Sequence, residues 1–413
     1  MSSVIFLMNM RKLMNLERYQ NMFRFVKTSI ADHEWNVSKI AYWLAKMDEE
    51  LFDKQVKMDD VLKKALHHDT MKFYVGDIQS NEGNADLIKY VRSAVYPLLF
   101  DEVIKPMLSE DTVDAYQNFV LNSMSKDYEG SIVYVANKID KLLEAEDEIR
   151  LNNGKHFNSV KFRQYKLLVE FLEDEDYEKS LSSKMIIYYM LLKEKNIIQS
   201  KFVDFLNKYK PVFDSVNREY VNKFLKYFSW SRELLHTKRY QNLTRLIKRN
   251  VSSHGWSVAR IATFIALNIE KTTGTKINYE KLLLTALEHD SIESSTGDFL
   301  SHIKRITPEM LNVIEEIENV TFDSVVKKMI PDTWCDVFKS AILNPKDDTL
   351  EGSIIVMADA MDVIFECYEE IQLGNRKEFL PILINNTMFL KNFNYDIIQS
   401  ICREIETDLI YGI

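Results

Sequence analysis

Four polar positions in the C-terminal half are of the right types to hold a metal: His254, the adjacent pair His289 and Asp290, and Asp359. Imidazole nitrogens and carboxylate oxygens suit a first-row divalent cation. With both imidazoles neutral, the two carboxylates balance its charge. Neighbouring residues on a helix project about 100° apart. His289 and Asp290 therefore reach one ion only if it lies off their helix and other segments complete the shell. Glu293 follows Asp290 by three residues, which puts it on the same face one turn on. There a carboxylate outside the ligand set can orient a polarised water or take its proton. Gly297 then ends the helix, and Asp298 adds a carboxylate at the rim. Upstream, Arg239 and Tyr240 offer a phosphate clamp and an aromatic wall.

Each residue alone has an ordinary explanation. A histidine near a tryptophan, as His254 is near Trp256, is commonly a satisfied core residue. His-Asp dipeptides are frequent, and an aspartate on a helix is usually solvated. What changes the reading is an internal repeat. RYQNMFRFVKTSIADHEWNVSKIAYWLA from Arg18 aligns without a gap to RYQNLTRLIKRNVSSHGWSVARIATFIA from Arg239. The same register aligns ALHHDTMKFYVGD, ending at Asp77, with ALEHDSIESSTGD, ending at Asp298. One residue of slip then aligns EGSIVYVANKIDKL from Glu129 with EGSIIVMADAMDVI from Glu351. The polar positions all fall inside these blocks. The repeats span roughly 1–160 and 231–413. The segment 161–230 is helical in pattern, completing the first repeat and bridging to the second.

The elements that must carry these residues are helices. The chain has 413 residues but only 10 glycines and 7 prolines, too few for the turns that many strands need. IAYWLAKMDEELFDKQ, IATFIALNIEKTTG and IVMADAMDVIFECYEEIQ space their apolar residues at helical intervals. Apolar residues make up 46% of the chain, enough for packed cores. The expected fold is all-α, two tandem helical domains related by the repeat.

The order His, His-Asp, Asp resembles the signature of the HD superfamily of phosphohydrolases. A closer resemblance is to the HD-domain 5′-deoxynucleotidases, the YfbR-like group. It rests on the Arg-aromatic pair ahead of the first histidine, on EHDSIESSTGD, and on MADAMDVIFECYEEIQLGN. It covers most of each repeat but not the bridge. The resemblance implies an all-α fold with one divalent metal (Mn, Co, Mg, Zn or Fe) and removal of the 5′-phosphate from deoxyribonucleoside monophosphates. It implies that His254, His289, Asp290 and Asp359 hold the metal and that Glu293 positions or activates the attacking water. Arg239 would contact phosphate or sugar, Tyr240 would pack near the sugar, and Asp298 would lie beside the substrate. The family commonly carries tryptophan where this chain has Tyr240, a departure that bears on the choice between deoxyribose and ribose.

The first repeat departs where it matters. It keeps Arg18, Tyr19, His33, His68, Asp69 and Asp77, but Asn137 matches Asp359 and Lys72 matches Glu293. The amide removes a charge from the ligand set. An ammonium about 5 Å from a dication repels it by about 6–7 kcal/mol at an effective dielectric near 20, before screening. Both changes oppose metal binding, so the first repeat is expected to have lost hydrolysis. It then serves as a scaffold, the fused equivalent of one subunit of a symmetric dimer, or as a nucleotide pocket with Lys72 meeting phosphate. Asp140, a turn beyond Asn137, has a counterpart in Asp362 and reads as a shared structural residue.

Metal-dependent phosphomonoester hydrolysis is thus the leading expectation. Release of tripolyphosphate from a dNTP, hydrolysis of another nucleotide phosphodiester, and non-catalytic nucleotide binding are the alternatives, because one framework hosts several phosphoester reactions. A net charge of −9 argues against duplex nucleic acid as a partner. Three unpaired cysteines fit a reducing cytoplasm. No apolar run is long enough to cross a membrane or form a signal-peptide core. A homo-oligomer, or a pseudo-dimer within one chain, is the expected assembly.

Overall fold

The computed structural model describes residues 3–78, 83–214, 216, 218–240, 243–298 and 307–411. Among them there are helices and turns but no strand. In the first repeat α1 (Ser3–Arg11) leads through a loop to the long α2 (Ile30–Phe52). Then come α3 (Met58–His67), α4 (Glu110–Leu121), α5 (Tyr128–Arg150), α6 (Gly154–Glu173) and α7 (Leu181–Leu192). After α8 (Val203–Phe213) the pattern restarts with α9 (Glu219–Ser231), α10 (Val251–Thr273) and α11 (Tyr279–Glu288). It closes with α12 (Pro308–Ser324), α13 (Cys335–Leu343), α14 (Leu350–Gln372), α15 (Arg376–Leu390) and α16 (Asp396–Tyr411). The expected all-α pair of helical domains is what the chain forms.

Local signals set the helix starts. Ser29 caps α2 in a capping box with Asp32, and Asn250 caps α10 by accepting from the Ser253 amide. Asp127 and Thr349 cap α5 and α14 by accepting from the amides of Gly130 and Gly352. At Gly352 the preceding loop runs so close to the helix that a Cβ would collide with Asp347, so only glycine fits. Ahead of the two long helices, isolated bridges Glu17–Ser29 and Lys238–Asn250 fold each entry loop back on the helix cap.

α6 packs along α5 as α15 packs along α14, so the start of the 161–230 segment lies within the helical packing of the first repeat. The two repeats meet through α2 and α10 and share an aromatic core. Trp43 of α2 lies 4.7 Å from Trp334 and 5.0 Å from Tyr227, ring centre to ring centre. The first helix of each repeat crosses to the other. α1 packs on α16, where Glu404 accepts from the Val4 amide at 3.2 Å. α9 likewise packs on α7 of the first repeat.

Polar contacts across this seam come in matched pairs. Lys39 of α2 reaches Glu288 at 2.9 Å and Ser291 at 3.1 Å, while Arg260 of α10 reaches Glu34 at 3.1 Å and bonds to Thr70. Arg11, at the end of α1, pairs with Asp362 of the second repeat and donates to Ser257 at 2.6 Å. Arg232, just after α9, pairs with Asp140 of the first repeat at 2.8 Å and with Asp147. The seam therefore has the self-complementary character of a two-fold dimer interface.

Candidate active site

In the second repeat α10, the end of α11 and the middle of α14 converge on one point. His254 Nε2 and His289 Nε2 stand 3.3 Å apart. Asp359 Oδ1 is 3.3 Å from His254 Nε2. Asp290 Oδ2 is 3.3 Å from His289 Nε2 and 3.5 Å from His254 Nε2. One donor atom each from His254, His289 and Asp359 lies within 4.8 Å of the others. The histidines are buried, and the carboxylates keep partial solvent access. All four sequence-predicted ligand residues are therefore brought together.

The far sides of the rings are fixed. His254 Nδ1 is 2.6 Å from Asp362 Oδ2, and His289 Nδ1 is 2.9 Å from the Ala286 carbonyl. Both contacts place a proton on Nδ1 and leave Nε2 as a lone-pair donor, the arrangement typical of metal-binding histidines. Burial, reinforced by Arg239, pushes His254 down to about 4, so it is neutral at physiological pH. For Asp290, burial favours the acid form, but His289 and His254 outweigh it and hold the carboxyl below its usual range. Asp359 is held down in the same way by Lys346 and the histidines against the opposing effect of burial. His289 moves up, because Asp290 and Asp359 more than offset burial. Two ionised carboxylates and two Nε2 donors in one pocket fit a divalent cation in number, charge and donor type.

Arg239 lies at the pocket's edge, 3.8 Å from Asp290 and 3.7 Å from Glu366. Its guanidinium sits 5.0 Å from the Tyr240 ring centre and donates to the Tyr240 hydroxyl at 3.2 Å. Tyr240 adopts a left-handed backbone, φ 51°, an uncommon conformation for a tyrosine. Its amide donates to Asp298 Oδ2 at 3.1 Å, which holds that turn in place. Glu293 is buried one turn past Asp290.

The first repeat rebuilds this frame with a different centre. His33 and His68 again stand 3.3 Å apart at Nε2, and His33 Nδ1 is 2.5 Å from Asp140. Tyr19 repeats the left-handed turn, φ 53°, with its amide on Asp77 at 3.4 Å. Arg18 lies 3.2 Å from Asp140 and 3.0 Å from Glu144. Asn137 Nδ2 is 3.4 Å from His33 Nε2, where the second repeat offers a carboxylate. The Lys72 ammonium is 2.7 Å from Asp69 and 2.6 Å from Asp77. It occupies the acid that would otherwise serve a cation.

The matched pair Asp140 and Asp362, legible in the sequence as shared structural residues, has a specific task here, and Arg11, Arg232 and Lys346 were not singled out from sequence. Asp362 and Asp140 orient the histidines, and Arg11 and Arg232 hold those aspartates from across the seam. The signal was present, since Arg11 and Arg232 occupy matching positions when the two RYQN blocks are aligned. Lys346, which pairs with Asp359 at 2.5 Å, has no counterpart: Met124 stands there in the first repeat. A surface hollow lined by Tyr188, Gln199, Lys210, Asp214 and Arg218 lies on the bridging helices and contains no histidine.

Histidines and aspartates gathered from three helices of an all-α repeat define a hydrolase of the HD class. The chain belongs to the YfbR-like 5′-deoxynucleotidase family, whose model matches residues 5–179 and 188–405. It is similar to the 5′-deoxynucleotidase VV1113 of Vibrio vulnificus, 29% identical over 140 residues, or 34% of this chain and 72% of that protein. A 5′-deoxynucleotidase of Klebsiella pneumoniae is 33% identical over 131 residues, 32% of this chain and 65% of that one. Among solved structures, an HD-domain phosphohydrolase from Listeria innocua is 26% identical, with a TM-score of 0.40 over 45% of this chain and 88% of that one. The match to two successive regions agrees with a tandem arrangement. The chain is thus an enzyme of the metal-dependent nucleotide 5′-phosphohydrolase type. Among the described residues, no helix is long and apolar enough to cross a membrane.

Proposed function

We propose that the second repeat hydrolyses the 5′-phosphate of deoxyribonucleoside monophosphates and that the first repeat is not hydrolytic. The observation that carries this reading is the contrast at one matched position. Asp359 faces His254 where Asn137 faces His33.

In this reading His254, His289, Asp290 and Asp359 hold one divalent cation. Such an ion polarises a phosphoryl oxygen and lowers the pKa of water. Arg239 neutralises phosphate charge at the pocket's edge, and its contact with Tyr240 fixes the guanidinium plane. Tyr240 supplies a wall for the sugar. Asp298 acts as a positioning residue through the Tyr240 amide, beside the substrate. Glu293 orients the attacking water and accepts its proton. The water oxygen attacks phosphorus in line with the ester oxygen, the P–O5′ bond breaks, and O5′ takes a proton from solvent, so the products are the nucleoside alcohol and inorganic phosphate. Lys346, paired with Asp359, neutralises part of the charge that the carboxylate would otherwise offer a cation.

The test is phosphate release from a panel of nucleoside mono- and triphosphates with manganese, cobalt or magnesium. Wild type is compared with Asp359→Ala and, separately, Asp69→Ala. Phosphate from deoxynucleoside monophosphates should fall by more than about 100-fold in Asp359→Ala, since even residues behind metal ligands cost 10–100-fold. Asp69→Ala should retain activity within about twofold, because Asp69 lies in the first cleft, paired with Lys72 and outside the second repeat's ligand set. Tripolyphosphate as the product, or equal losses in both variants, would overturn the reading.

A further inference from the structure

The first repeat has not simply lost its acidic centre. Four matched positions all change toward positive charge: Asp359 to Asn137, Glu293 to Lys72, Ala360 to Lys138 and Val363 to Lys141. Loss of function explains the first exchange. It does not explain three lysines converging on one cleft, two of them in place of apolar residues.

Asn137 and Lys141 are one turn apart on α5, on the face that meets His33, and Lys138 flanks them. Lys72 and Arg18 are neutralised by the cleft's own acids, Asp69, Asp77, Asp140 and Glu144. Lys138 and Lys141 are not. Neither makes an ion pair or hydrogen bond with any described residue, and Lys138 rests over the Tyr134 ring at 5.0 Å. Both are half-buried and reachable from solvent. The charged neighbours of Lys141 are Lys138, Lys72 and Arg18, opposed by Asp69. Those of Lys138 are Arg92, Arg163 and Lys72, opposed by the same aspartate. Burial first, and these cations second, push the Lys138 ammonium down to about 7 and lower Lys141 as well. Repelling cations beside the His33–His68 pair, the two on α5 without an acid of their own, are a receptor for an anion.

We propose that the first repeat binds the phosphate end of a nucleotide directly through Lys138 and Lys141, with Lys72 behind them and no metal. The anion site rests on the lysines alone. The choice of a nucleotide rests on the reading of the second repeat, because Arg18, Tyr19 and Asp77 reproduce its substrate frame. An entering phosphate relieves the repulsion and raises both lysines, so binding takes up protons.

The experiment is calorimetric titration of the full chain in excess chelator, which leaves the second site without its cation. The titrants are dAMP, dATP and pyrophosphate. Wild type and Asp359→Ala should bind one nucleotide per chain with equal affinity. The heat should vary with the buffer's ionisation enthalpy, reporting proton uptake. Lys138→Ala/Lys141→Ala should weaken binding at least tenfold. Lys138→Arg/Lys141→Arg should retain affinity but lose most of the buffer dependence, which separates charge from folding. No binding of any titrant at about millimolar concentration, or unchanged affinity in the alanine pair, overturns the proposal. Binding of pyrophosphate without either nucleotide overturns the nucleotide assignment. Loss of binding in Asp359→Ala would place the site in the second repeat and overturn it too. Catalysis is measured separately with metal present, so failure here leaves the hydrolase reading standing.

Discussion

The two clefts share a frame and differ in what fills it. In both, paired histidines stand 3.3 Å apart at Nε2, and an aspartate holds the first of them through Nδ1. In both, an aromatic residue in a left-handed turn hangs from a rim aspartate. The second cleft has two ionised carboxylates facing the rings, Asp290 and Asp359, whereas the first keeps only Asp69, paired with the Lys72 ammonium, and has the Asn137 amide in place of the other. The frame is therefore a property of the fold, and the chemistry is decided by two or three side chains placed on it. A histidine pair on its own does not mark a metal centre; the charge that faces it does.

The sharpest way to break the comparison is to exchange those side chains. Glu293→Lys should copy the first cleft into the second and abolish phosphate release, a loss of more than about 100-fold, with the helical circular dichroism unchanged. In the opposite direction, Lys72→Glu with Asn137→Asp should let the chain bind a second equivalent of manganese, read by equilibrium dialysis. A stoichiometry that stays at one would mean that Lys138 and Lys141 also bar the ion.

A second contrast concerns the crossing arginines. Arg11→Ala leaves Asp362 without its cation and loosens His254, and should lower turnover about 10–100-fold, the usual effect of removing a group behind a metal ligand. Arg232→Ala acts on Asp140, behind the first cleft, and should leave turnover within about twofold while costing stability. Burial and Glu144 push Asp140 up to about 7. It can therefore take a proton when Arg232 is lost, which keeps the cost below the about 3–5 kcal/mol of an abandoned buried charge. Equal effects on turnover would dissolve the distinction between the repeats.

The third contrast is with pH. His289 is raised above its ordinary value, chiefly by Asp290 and Asp359 acting against burial. A proton on this ring competes with a cation, so metal affinity is full above the raised pKa and falls as pH drops through it, by about tenfold per unit. Titration of metal binding as pH falls through the range above the ordinary histidine value reads this directly. In the metal-free protein, the His289 ring titration followed by NMR should move down in Asp290→Asn, because that carboxylate raises it. The smallest effect belongs to the seam. Gly255 matches Glu34, and a Cβ there would stand 2.9 Å from Trp35 Nε1, whose hydrogen goes to the Leu287 carbonyl. Gly255→Ala should cost about 1–3 kcal/mol by overpacking, seen as a lower denaturation midpoint with metal stoichiometry unchanged.

Much of this was legible in the sequence because the repeat acts as an internal alignment. The fold class followed from helical periodicity and scarce turn residues. The gathering of His254, His289, Asp290 and Asp359 followed from their position in matched blocks. Asp140 and Asp362 were legible as a shared structural pair, but not their task, because nothing local assigns either to a histidine until His33 and His254 are placed beside them. Lys138 and Lys141 read as ordinary exposed positions of an amphipathic helix, and only the packing of α5 against α2 turns them inward. Lys346 lies in a loop, where no periodicity forecasts direction.

The crossing of α1 and α9 has a consequence for how the chain can be shortened. The arm that supplies Arg11 begins in the half whose own centre lacks the second carboxylate, yet it ends inside the other half's. Deleting the first repeat to leave a minimal enzyme would remove that guanidinium and leave Asp362, fully buried in the whole chain, without its cation. The half with the amended centre cannot be discarded on the ground that it does no chemistry. It is wired into the half that does, as one strand of a splice holds the other.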